Sequence, residues 1–272
     1  MNKQGYVIRE SVGVVTMRSR KSWVAIICVT SFLTVSGAVH AERLVSTTIE
    51  NRVVLGFQVD DAALEQWLPD EWSPVTLSQG PVAGSNLLVA LMDRLLILDA
   101  EGNPASDQAN RAAAFVSYAR KEGIPGVRAF ITRVFETAPL TDPYGNSVTA
   151  QVAHTAESAG GIGENRVISE SWVIRPDGGG ELSFDLSYEP GNRVWTKGAE
   201  TRPYSAVEPE FHRIYRYDQL SELAMSRQNG KMLAGSAEFE SSIPEFQSLF
   251  DGSEVLAAVI SIPVYVRDVY LP

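Results

Sequence analysis

Leu182, Phe184, Leu186 and Tyr188 alternate one-for-one with Ser183, Asp185 and Ser187. A period of two places four apolar side chains on one face of an extended segment and three polar ones on the other, which no helix can do. The run follows the turn chemistry of Arg175-Pro176-Asp177-Gly178-Gly179-Gly180 and is followed by Glu189-Pro190-Gly191-Asn192. Residues 166–174, just before the first turn, therefore form a hairpin with it. Asp142-Pro143-Tyr144-Gly145-Asn146 punctuates the chain in the same way. Further strands are expected over residues 53–59, 87–98, 127–138, 148–155, 210–217, 231–240 and 255–270. Residues 87–98 are apolar enough for a buried helix, but Asp99-Ala100-Glu101-Gly102-Asn103 follows them like a hairpin loop.

Helical signal is sparse. Asp60 and Asp61 can cap a short helix that carries Ala62, Leu64 and Leu68 and stops at Pro69. Residues 218–228 are a second expected helix, with Leu220, Leu223 and Ala224 on one side and Gly230 ending it. The expectation is a mainly β (α+β) fold, a closed antiparallel barrel with a few short helices. Trp67 and Trp72, flanking Leu68-Pro69, read as core anchors.

The amino-terminal residues follow a different pattern. Met17-Arg18-Ser19-Arg20-Lys21 is basic, residues 23–35 are apolar, and Val39-His40-Ala41 supplies small residues at −3 and −1. These are the three parts of a secretory signal. The apolar stretch falls short of the roughly 20 residues a transmembrane helix needs. Residues 1–41 are thus expected to be a signal peptide, with residues 1–16 outside its pattern and Met17 an alternative start. Residues 42–272 are expected to form one domain, located in the periplasm or outside the cell. Cys28 precedes that boundary, so the domain has no cysteine and no disulfide, and its core must hold it. Residues 42–272 hold 18 basic and 32 acidic side chains, a formal net charge of −14. Such a surface repels nucleic acid and anionic lipid headgroups.

Several familiar chemistries lack their residues. His154 and His212 are the two histidines after residue 41, and no H-x-H or H-E-x-x-H spacing joins them, so no metal is expected. No G-x-S-x-G elbow occurs. Gly160-Gly161-Ile162-Gly163 lacks the G-x-G-x-x-G spacing of a phosphate loop and reads as a plain loop. No cofactor is expected. His154 shares a strand face with Val148, Ala150 and Val152; it is either a hydrogen-bonded core histidine or an inward polar group of a site. Lys197, in Trp195-Thr196-Lys197-Gly198, is either a solvated loop lysine or a desolvated nucleophile. Glu136 ends its strand. Arg213 and Arg216 fall on opposite faces of theirs, so one of them can point inward as a carboxylate receptor.

Two stretches carry a family resemblance. Val59-Asp60-Asp61-Ala62-Ala63-Leu64-Glu65-Gln66-Trp67-Leu68-Pro69, with Trp72-Ser73-Pro74, resembles the early strand, short helix and "LP…P" turn of the acetoacetate decarboxylase-like superfamily. Gly235-Ser236-Ala237-Glu238-Phe239 and Ile262-Pro263-Val264-Tyr265-Val266-Arg267-Asp268-Val269-Tyr270-Leu271-Pro272 resemble its G-P-A-x-L strand and closing D-x-x-L-P strand. The resemblance implies a cone-like β-barrel with an interior cavity. It also implies a lysine that forms a Schiff base with a β-keto acid, placed after a G-R-E…G-[YF]-P-K signature. Here that region runs from Glu136-Thr137-Ala138-Pro139-Leu140-Thr141 to His154 and contains no lysine. The leading expectation is therefore an exported protein whose cavity binds a small, partly apolar or carboxylate ligand without Schiff-base decarboxylation. Its polar groups would come from His154, Arg213, Arg216 and Glu136. One alternative is a carbonyl-substrate lyase or decarboxylase using Lys197 or a Glu136–His154 acid–base pair. The other is a non-catalytic interaction scaffold.

Overall fold

A computed structural model describes residues 41–272 apart from 108–109 and 161–164. Of the expected export signal only Ala41 falls among these residues, and of the Gly160-Gly161-Ile162-Gly163 loop only Gly160; the rest of both lies outside them.

Among the described residues thirteen strands form one sheet: β1 (Arg43–Gln58), β2 (Ser73–Pro74), β3 (Leu87–Asp99), β4 (Asn110–Arg120), β5 (Arg128–Glu136), β6 (Ser147–Ala159), β7 (Val167–Pro176), β8 (Leu182–Tyr188), β9 (Arg193–Thr201), β10 (Tyr204–Ser205), β11 (Ile214–Ser226), β12 (Gly235–Ser241) and β13 (Val255–Leu271). The main path runs β12-β8-β7-β6-β5-β4-β3-β1-β13-β11-β9, with β2 on β4 and β10 on β5. The fold is mainly β, as expected. Uniform antiparallel pairing is corrected, and closure is not found among the described residues. The path has two ends, β12 and β9, and β5 pairs with β6 in parallel, Val134 opposite Ser147. Counting strands does not say whether the outer two meet. Here each end carries charge instead, Arg193, Lys197 and Glu200 on β9 and Glu238 and Glu240 on β12, which is how open edges resist pairing with other chains.

The β7–β8 hairpin has Ile168 opposite Tyr188, Trp172 opposite Phe184 and Ile174 opposite Leu182. Asp60 caps the one α-helix among the described residues, α1 (Asp61–Glu65), its side chain accepting from the Ala63 amide at 2.9 Å. Trp72 is buried against Phe130, and Trp67 packs on Phe246. The second expected helix is not formed: residues 218–226 belong to β11. Its pairing with β13 slips between Leu220 and Glu222 and again between Leu223 and Met225. Each slip resets the alternation, so the apolar residues fall at helix-like intervals in an extended strand.

The central strands β1, β3, β4 and β5 are two-sided. One face carries Val53, Leu55 and Phe57 of β1, Leu87, Val89 and Leu91 of β3, Phe115 of β4 and Phe135 of β5. These pack with Trp172, Phe184, Tyr188 and Phe246 into the largest core. The opposite face, continued by β13 and β11, surrounds a cavity.

Candidate functional site

The cavity has a volume of about 480 Å³, within the roughly 300–1,000 Å³ usual for small-ligand sites. Strand alternation supplies its lining from the residues between the core positions: Val54 of β1, Leu88, Ala90 and Met92 of β3, Ala114, Val116 and Tyr118 of β4, Ile131 and Val134 of β5 and Ile262 of β13. Most of this wall is apolar. A second depression, lined by Glu71, Ser73, Arg120, Lys121 and Glu122, is a polar surface feature.

Four arginines break the apolar wall: Arg52, Arg94, Arg213 and Arg267. Arg94 Nη1 donates to Glu136 Oε2 at 2.9 Å and to Asn110 Oδ1 at 3.2 Å, and its Nε lies 3.8 Å from Glu50 Oε2. Glu50, 1% exposed, also pairs with Arg52. The Arg52 guanidinium stacks 3.7 Å above the ring of Tyr265. Burial, reinforced by the positive fields of Arg267 and Arg94, brings the Arg52 pKa down to about 10, against the pull of Tyr265 in the other direction. It keeps its charge at neutral pH. Burial also lowers Arg94, and Glu136 opposes that shift.

Arg267 and Arg213 are placed differently. Arg267 donates to Thr48 Oγ1 at 3.2 Å and lies 4.4 Å above the ring of Tyr215. Tyr215 and Tyr144 share a hydroxyl–hydroxyl hydrogen bond of 2.6 Å. Burial and the neighbouring Tyr215 push the Tyr144 pKa well above its ordinary value, while Arg213 and Arg267 pull it down. The Arg213 Nε is buried with no hydrogen-bond partner. Among the described residues neither Arg213 nor Arg267 has a carboxylate partner, whereas Arg52 and Arg94 do.

The residues singled out from the sequence divide. Glu136 and Arg213 line the cavity. Arg216 faces out and pairs with Glu42 at 2.6 Å and Glu200 at 3.0 Å. Lys197 is exposed on the edge strand β9. Of the other two lysines after residue 41, Lys121 pairs with Glu71, and Lys231 lies beside Gly191; none of the three lines the cavity.

His154 is not in the cavity either, so it and Glu136 are not brought together. Its ring stacks on Trp172 with centroids 3.7 Å apart, and its Nδ1 lies 3.3 Å from Asp93 Oδ2. Its Nε2 is 3.4 Å from Glu170 Oε2 but off the line of a hydrogen bond. Tyr188 and Trp172 donate to Glu170 at 2.6 and 3.2 Å. Burial raises the Glu170 pKa, but contacts from His154, Tyr188 and Trp172 outweigh it and hold the carboxyl below its usual range. This network ties β3, β6, β7 and β8 together. Among the described residues no group of three or more His, Cys, Asp or Glu side chains could hold a metal ion, and no helix is long and apolar enough to cross a membrane.

Arg52, Arg94, Arg267, Tyr144 and Tyr215 escape the sequence reading. The available signal was a lone arginine inside an apolar strand: Arg94 before Leu95-Leu96, Arg52 before Val53-Val54-Leu55, and Arg267 among Val264, Val266 and Val269.

An open, mainly β sheet folded around an apolar chamber with charged groups at intervals is the class of architecture, and solved structures share it. The enduracididine biosynthesis enzyme MppR complexed with pyruvate superposes with a TM-score of 0.51 at 10% identity, over 86% of this chain and 91% of that one. An acetoacetate decarboxylase-like enzyme from Sphingomonas wittichii RW1 gives 0.52 at 13% identity, over 84% and 92%. The chain thus has the acetoacetate decarboxylase-like fold. No protein-family model and no curated protein matches its sequence.

Proposed function

We propose that this chain is an exported binding protein whose cavity receives a small, partly apolar carboxylate without forming a Schiff base. The observation that carries this reading is the composition of the wall. Four arginines point into an apolar chamber, and each of the three lysines after residue 41 lies elsewhere. Guanidinium groups recognise carboxylates through paired hydrogen bonds. A Schiff base needs an amine within reach of the ligand carbonyl. The complex of MppR with pyruvate supports a small carboxylate as the class to try first. Export to the periplasm or the exterior rests on the basic, apolar and small-residue pattern of residues 17–41.

The test uses protein purified from the exported fraction, its N-terminus read by mass spectrometry, with Glu42 expected as the first residue. Calorimetry with pyruvate and butyrate should give heats of binding. Borohydride added to the pyruvate mixture should leave the protein mass unchanged. A stoichiometric adduct on Lys197, lost in Lys197→Ala together with turnover, would replace this reading by the lyase alternative.

A further inference from the structure

The charges around the cavity do not balance. Glu50 and Glu136 hold Arg52 and Arg94. Asp99 reaches the cavity edge, but its carboxylate accepts from the Glu101 and Asn103 amides of its own loop. Arg213 and Arg267 remain, with no carboxylate partner among the described residues. Both are half-buried and face the same chamber, and the Arg213 Nε is buried without a hydrogen-bond partner, so an anion entering there meets two cations that no protein carboxylate offsets.

The surplus is also spread out. Arg267 stands opposite Tyr217 in the β11–β13 register, and Arg213 precedes Ile214, which stands opposite Tyr270. The two arginines are therefore offset by four residues, about 13 Å of strand at roughly 3.3 Å per residue. Both act on the Tyr144–Tyr215 hydroxyl pair, Arg267 through its stack on Tyr215 and both through their fields at Tyr144. A two-ended anion matches two cationic side chains that start from strand positions this far apart. We infer that the cavity selects a small linear dicarboxylate, one carboxylate on Arg213 and the other on Arg267, with its middle against the Tyr144–Tyr215 pair. This rests on the carboxylate-binding reading above and narrows it to a two-ended ligand.

Calorimetry on the full-length exported protein compares succinate and glutarate with butyrate and inorganic phosphate. The dicarboxylates should bind at least tenfold more tightly than butyrate. Arg213→Gln and Arg267→Gln, each verified as folded by circular dichroism, should remove that advantage and leave butyrate binding within about threefold. Arg216→Gln, on the surface, should change neither. Equal affinity for succinate, glutarate and butyrate, or preference for phosphate, overturns the two-ended ligand and leaves carboxylate binding standing. No binding of any carboxylate overturns both.

Discussion

Replacing Arg94 by methionine isolates the charge network beneath the cavity. Methionine keeps most of the side-chain length and removes the guanidinium. The Arg94 side chain is 16% exposed, and its partners Glu136 and Glu50 are 7% and 0% exposed. Among the described residues Glu136 then loses its one cation, and Glu50 keeps Arg52 alone. Breaking a buried pair from one side costs about 3–5 kcal/mol, because the remaining charge is left without water or partner. For a domain of this size each kcal/mol corresponds to about 2–4 °C in Tm, so Arg94→Met should melt roughly 6–20 °C below the parent. Urea unfolding followed by tryptophan fluorescence gives the free energy, and a double-mutant cycle gives its origin. Glu136→Gln removes the stranded carboxylate, so Arg94→Met/Glu136→Gln should be more stable than Arg94→Met alone, with a coupling of about 1–3 kcal/mol. A single variant within about 0.5 kcal/mol of the parent, or strictly additive effects, would refute the reasoning.

Three further outcomes follow from other parts of the fold. Glu170 titrates below its unfolded value of about 4.3, so its stabilisation is complete above that pH and is lost as pH falls through the lower folded value. Tyr188→Phe removes a 2.6 Å donor, should cost about 1–3 kcal/mol, and should move the acid-unfolding midpoint to higher pH; an unchanged midpoint in a fluorescence titration speaks against the network. Gly235 has a φ of 147°, and a Cβ there would lie 1.9 Å from the Ser187 carbonyl oxygen. Gly235→Ala should loosen β12 from β8, read as faster hydrogen exchange at the amides of 182–188; protection equal to the parent counts against this register. Phe246 is fully buried among Phe115, Phe135, Phe250 and Trp67. Phe246→Ala should cost about 3–5 kcal/mol and leave carboxylate affinity, measured well below the melting point, within about twofold; a larger affinity loss would show that core and cavity are coupled.

The fold was legible where the chain alternates and obscure where it does not. The β7–β8 hairpin, β3 and β13 follow from apolar periodicity and turn chemistry. β4 is not assigned from the sequence, because Ala112, Ala113 and Ala114 are all buried. A strand buried on both faces shows no alternation, and alanine has low strand preference. β9 is hidden for the opposite reason: Arg193-Val194-Trp195-Thr196-Lys197 is exposed along almost its whole length. β11 misleads through its two register slips. At the site, Glu136 is legible as a charged residue that ends its strand, and Arg213 as one of two arginines on opposite faces of theirs. Arg52, Arg94 and Arg267 sit inside apolar runs, where their meeting depends on long-range pairing of β1, β3 and β13. His154 does point inward, but into the network of Asp93 and Glu170.

On the central strands the cavity and the core are interleaved: Leu88, Ala90 and Met92 serve the chamber, while Leu87, Val89 and Leu91 serve the packed interior. Every second residue can therefore drift in chemistry while its neighbours preserve the shape. The scaffold behaves as a casing with an exchangeable liner. A resemblance in outline at about a tenth of shared residues is what such a construction permits. Along β3 the chamber takes the even positions from Leu88 to Arg94 and the core the odd ones from Leu87 to Leu91.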